Sequence, residues 1–100
     1  MIITLSPYAP LPGSDEHLAL ARAGDTLTVN GQLFDFTPLP HGGELPSEAI
    51  GSEWFVGSVV RRAGRLELAL RFPLAENASS AARFPEPMFI EADGPVELPR

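Results

Sequence analysis

One hundred residues, 44% hydrophobic and 20% charged, suit a single globular domain (1–100) with a thin core. The absence of cysteine excludes disulfides, cysteine-ligated metals and thiol catalysis. The net charge is −6, every basic residue is arginine, and the only basic grouping, Arg61, Arg62, Arg65 and Arg71, is spread around one predicted hairpin. Nucleic acid, which needs clustered positive charge, is not an expected partner.

In chain order, "MIITLS" (1–6) is a short β-prone run closed by Pro7 and Pro10. It lacks the basic n-region and long apolar h-region of a signal peptide, and no apolar run in the chain approaches membrane-spanning length, so no membrane is expected as a partner. "PYAPLPGSDE" (7–16) is turn material. In "HLALARAG" (17–24), Leu18, Leu20 and Arg22 alternate with alanines, which predicts a strand ending at Gly24-Asp25.

"DTLTVNGQLFDF" (25–36) carries the strongest local signal. Asn30-Gly31 is the dipeptide of a two-residue type I′ turn, where both central residues need positive φ. That register places Leu27, Val29, Phe34 and Phe36 on one side and Thr26, Thr28, Leu33 and Asp35 on the other, as a half-buried antiparallel pair requires. A second hairpin joins "EWFVGSVVRR" (53–62) to "RLELALRF" (65–72) across Ala63-Gly64, with Leu66, Leu68, Leu70 and Phe72 at period two. Gly57 falls opposite Leu70 and predicts a bulge or a close approach.

The intervening connection, "FDFTPLPHGGELPSEAIGSEWF" (34–55), reads as a strap across one end of the core. Leu39, Leu45 and Ile50 are its anchors. One short helical turn is expected near 46–50, with a serine cap and a glycine stop, and the tip at 41–44 is expected to be free for a partner. "PLAENASSAARFPEP" (73–87) is expected to be an exposed loop. "MFIEADGPVEL" (88–98) suggests a third hairpin around Asp93-Gly94, with Pro95 limiting its last arm to an edge strand. Together these elements predict an all-β fold: an antiparallel meander of hairpins forming a small sandwich or a partly rolled barrel.

The candidates for chemistry are few. His17 and His41 have acidic neighbours, but neither stands at a ligand spacing, so no metal and no cofactor is expected. There is no G-x-S-x-G nucleophile elbow and no phosphate-cradling loop, and no catalytic residues are assigned. Trp54 is predicted on the face opposite Phe55, with Val56, Ser58 and Val60, and with Leu33 joining from the first hairpin. That face is either covered or an exposed apolar strip. Glu48 and Glu53 lie near Trp54, the combination of acids and an aromatic platform that a sugar site uses. His41 and Glu44 mark the strap tip. Trp54, His41, Glu44, Glu48 and Glu53 are therefore the candidate partner-binding residues.

Residues 24–70, "GDTLTVNGQLFDFTPLPHGGELPSEAIGSEWFVGSVVRRAGRLELAL", resemble small proteins encoded among bacteriophage and prophage tail genes. The shared pattern is a "GDTLTVNG" opening, an "FDF-PLP-G" middle and "EWF-G-V" leading to "G-L-L-L". It covers about half the chain and carries no known catalytic residues. The resemblance implies a phage tail context, in the cytoplasm of a bacterial host or associated with the virion. The expected function is that of a non-enzymatic structural or accessory protein with a protein partner or self-association, docking through sheet edges such as 1–6 and 95–98. The alternative is a small ligand- or carbohydrate-binding β module centred on Trp54.

Overall fold

A computed structural model describes residues 1–99. The strands are β1 (Ile2–Tyr8), β2 (Leu20–Ala23), β3 (Thr26–Val29), β4 (Gln32–Asp35), β5 (Glu44–Leu45), β6 (Val59–Arg62), β7 (Arg65–Pro73), β8 (Met88–Phe89) and β9 (Gly94–Val96). Two single-turn helices, α1 (Ser47–Ile50) and α2 (Ser80–Arg83), interrupt them. The fold is all-β and does not close into a barrel. One sheet has the order β5-β6-β7-β1-β8 and the other β4-β3-β2-β9.

Period-two alternation builds the core from both sheets. Ile3 and Leu5 of β1, Leu66, Leu68, Leu70 and Phe72 of β7, and Val59 of β6 are buried from the five-stranded sheet. Leu20, Leu27, Val29 and Phe34, with Phe36 just beyond β4, face them from the four-stranded sheet. Phe55 joins the layers: its ring meets Phe34 edge-on at 4.9 Å and Phe36 at 5.9 Å between centroids. Such edge-to-face pairs contribute about 0.5–1.5 kcal/mol beyond the area they bury.

Both expected two-residue turns form. Asn30 and Gly31 have φ of 50° and 86°, and Val29 pairs with Gln32. Asn30 has a further role: its Oδ1 accepts from Ala19 N–H at 2.7 Å and its Nδ2 donates to His17 O at 2.9 Å, fixing the entry to β2. Ala63 and Gly64 turn with φ of 53° and 76°. The register beyond them runs Arg62 to Arg65, Arg61 to Leu66 and Val60 to Glu67.

Continued without interruption, that register would bring Gly57 to Leu70. Phe55 meets Leu70 instead, Val56 N–H donates to Ala69 O, and Arg71 N–H donates to Trp54 O. The first arm therefore carries a bulge around Gly57, whose φ of 74° suits glycine. The offset is an even number of residues, so Phe55 and Val59 both still face the core.

Four expectations are corrected. The sheets are not a pure meander: β1 pairs with β7 in parallel, from Ile2 with Glu67 to Tyr8 with Pro73. Residues 1–3 are consequently interior to their sheet rather than an open edge, while residues 4–6 have a strand partner on the β7 side alone. The third hairpin does not form, because its arms join different sheets. Met88–Phe89 pairs with Ile2 and Ile3, and Gly94–Val96 pairs with β2. Met1 takes both backbone groups of Ile90, and Asp93 Oδ1 accepts from Gly24 N–H at 2.9 Å rather than serving a local turn. Segment 73–87 is not wholly an exposed loop, since it contains α2, capped by Ser79, and buries Ala82. Finally, α1 ends at Gly51 as expected (φ 74°), but Pro46 is its N-cap and no side chain caps it.

Arg61 ties the two layers together on the core side of β6. Its Nε donates to Leu39 O at 2.7 Å, and its Nη2 donates to Phe36 O at 2.9 Å and to Asp25 Oδ2 at 3.1 Å. Its side chain is 11% exposed. Arg61→Leu should destabilise the protein by about 2–4 kcal/mol, because it leaves Asp25 and the Leu39 carbonyl without their donor, while Phe36 O keeps the Leu39 N–H. Arg61→Lys should fall between, keeping the charge but losing the planar fork. Urea unfolding measures both. Ala63→Asn should raise stability by about 0.5–1 kcal/mol in the same assay, since Asn tolerates positive φ better than Ala.

Candidate functional site

The structure separates the residues that the sequence grouped. The backbone of the strap tip is tied down, while His41, Gly42 and Glu44 stay exposed. Gly42 N–H donates to Arg61 O, Arg61 N–H donates to Gly43 O, and Glu44 pairs with Val60 in β5. His41 Nδ1 accepts from Gly64 N–H at 3.2 Å, so the imidazole buttresses the β6–β7 turn. The anchors Leu39, Leu45 and Ile50 all pack against the core, as the reading of the connection as a strap requires.

Glu48 on α1 and Glu53 before Trp54 are exposed, and neither carboxylate has a hydrogen-bond partner among the described residues. Trp54 is half-buried and packs against the core cluster. Leu33 does not join it: Leu33 is 71% exposed on the outer face of the four-stranded sheet, across the sandwich from Trp54.

What the fold does assemble is a row on the outer face of the five-stranded sheet. The Phe55–Leu70 bridge sets Trp54 beside Arg71, and the parallel ladder sets Arg71 beside Ser6. The Arg71 guanidinium carbon lies 4.3 Å from the centroid of the Tyr8 ring, a cation–π contact. The Tyr8 hydroxyl donates to Glu16 Oε2 at 3.3 Å. Burial first, and the Glu16 carboxylate second, raise the Tyr8 phenol above its usual 10.0, against an opposing pull from Arg71; Glu53 adds further negative potential. The row offers two aromatic surfaces, one guanidinium and flanking carboxylates, a set able to stack on a flat ligand face and hydrogen-bond its rim. Tyr8 and Arg71 escaped the sequence reading because only the parallel β1–β7 pairing brings them together.

At one end of the sandwich, an open groove of about 1130 Å³ runs between the 9–18 and 72–78 segments. His17 lines it, with Nδ1 at 3.2 Å from Asp15 O. Among the described residues, no group of three or more histidine or carboxylate side chains is placed to hold a metal ion, and no helix is long and apolar enough to cross a membrane. Comparisons with protein-family models, curated proteins and solved structures give no match to this chain.

Tyr8 is the only tyrosine in the sequence, so its ionisation can be followed alone by ultraviolet difference absorbance. Its midpoint should lie above 10.0, and Glu16→Gln should lower it while leaving the contribution of burial. Because the fold favours the neutral phenol, the stability from this group is full below pH 10.0 and declines as pH rises through the higher folded value. An unperturbed midpoint in the intact protein would mean that the Tyr8–Glu16 pair does not form.

Proposed function

We propose that the chain is a non-enzymatic structural or accessory protein that acts through protein–protein contacts in a phage or prophage tail module. The observation that carries this reading is the placement of exposed apolar side chains on outer strands: Leu33 on β4 is 71% exposed and Phe89 on β8 is 64% exposed. Strand β4 offers unpaired backbone groups beside Leu33, and Phe89 on the short β8 offers an apolar side chain for a partner to bury. Leu11 and Phe84, each 81% exposed, extend the same character to the loops. The tail context rests on the resemblance of residues 24–70, and with it the location in a bacterial host cell or on the virion. The test is affinity purification of a tagged copy from its own host after prophage induction, read by mass spectrometry. Tail proteins should be enriched, and the enrichment should fall in a Leu33→Lys, Phe89→Lys variant. A solitary protein from induced cells would count against the reading.

The Trp54–Arg71–Tyr8 row favours a second reading, a small ligand- or carbohydrate-binding module. Trp54 is the only tryptophan, so its emission reports on the row directly. A binder should shift that emission saturably, and Arg71→Ala should abolish the shift. Emission unmoved across a panel of mono- and oligosaccharides would remove carbohydrate from consideration.

A further inference from the structure

The outer strands of the two sheets are not equivalent. Strand β5 is two residues long and lies between Pro40 and Pro46; β8 is also two residues long and follows Pro85 and Pro87; β9 contains Pro95. Proline removes a donor, and short length removes the template, so these margins are blunted against strand addition. Strand β4 has four residues, contains no proline and is paired with β3 along its whole length.

The turn fixes which β4 groups face outward. Val29 and Gln32 close a two-residue hairpin, and Phe36 N–H donates to Asp25 O at 3.0 Å, so Gln32, Phe34 and Phe36 direct their backbone groups toward β3. Leu33 and Asp35 therefore direct their N–H and C=O groups away from the sheet. Neither residue's backbone has another partner among the described residues. The Asp35 carboxylate is already engaged, accepting from Thr37 N–H at 3.0 Å and from the Thr26 hydroxyl at 3.3 Å.

We infer that β4 pairs antiparallel with β4 of a second copy about a two-fold axis at Phe34. This inference rests on the protein-contact reading above and names its first partner. Outward groups at Leu33 and Asp35 are self-complementary in that register: Leu33 exchanges both backbone hydrogen bonds with Asp35 of the second copy, and symmetry repeats the exchange. Charge and pairing select the register. Centring on Asp35 would set two carboxylates directly opposite, which is destabilising. Centring on Leu33 would set Asp35 against the turn glycine of the other copy and waste its groups. Centring on Phe34 uses every outward group, places each Asp35 opposite a leucine, and covers the exposed Leu33 on both copies. The edge is short, so the interface falls below the roughly 1,200 Å² of a stable complex and the dimer is weak, on the order of 100 μM. Each copy carries a net charge of −6, so screening by salt should tighten it.

Sedimentation equilibrium of the full chain across micromolar to millimolar concentration, at low and high salt, tests the pairing. A reversible dimer that tightens with salt is expected. Leu33→Pro removes an N–H that the monomer does not use, and should raise the dissociation constant by about tenfold or more. Hydrogen exchange on the unmodified chain gives an independent measure: the Leu33 and Asp35 amides should gain protection as concentration rises, while the Gln32 and Phe34 amides are protected throughout. A monomer at all concentrations, or a dimer whose Leu33 and Asp35 amides exchange as in the monomer, would overturn the inference. A monomer that still captures tail proteins would overturn only the pairing, whereas a β4 dimer without tail partners would overturn only the tail reading.

Discussion

The sandwich depends on one guanidinium drawn largely out of solvent between the two sheets. Arg61 occupies a core-facing position on β6, where the alternation of the strand would otherwise place an apolar residue. From there it reaches the β2–β3 turn through Asp25 and the strap through the carbonyls of Phe36 and Leu39. The backbone of the same residue holds Gly42 and Gly43. One side chain and its peptide groups thus fix the four-stranded sheet, the crossing connection and the five-stranded sheet to one another. A charge removed from water in this way is tolerated only because its donors are matched by acceptors.

Parity is the second constraint. A strand that faces a core on one side must keep its apolar residues in phase, and a single inserted residue would turn every later side chain outward. The bulge around Gly57 adds chain without changing phase. That lets Phe55 reach Phe34 and Phe36 in the opposite sheet while Val59 stays buried in its own. The same geometry leaves Trp54 on the outer face beside Arg71, so the candidate binding row is a by-product of how the core is kept in register.

The sequence made legible whatever was local. Asn30-Gly31 and Ala63-Gly64 announce their turns, the alternation beside them names the buried residues, and Leu39, Leu45 and Ile50 mark the strap as a cover. Contacts distant in the chain were not legible. Asp93-Gly94 has turn chemistry, yet Met1–Ile3 captures the residues before it and β2 captures those after it, a competition that no short window displays. The parallel β1–β7 ladder has no signature in either segment alone, and Tyr8 and Arg71 stayed hidden with it. Of the candidate site residues, only Trp54 belongs to the assembled row. His41 and Glu44 are exposed on the strap tip, away from the row, and Glu48 and Glu53 are exposed with no hydrogen-bond partner for either carboxylate among the described residues.

The placement of β1 has a consequence for how the chain acquires its shape during synthesis. Strand β1 is held by β7 on one side and, at Ile2 and Ile3, by β8 on the other, so both of its neighbours lie far downstream in the chain, after β2 to β6. The Asn30-Gly31 hairpin can close within microseconds of leaving the exit tunnel, whereas Ile2–Leu5 must wait, largely apolar and unpaired, until β7 has been made. During that interval the N-terminal strand is the segment most open to capture by a chaperone or by another nascent chain.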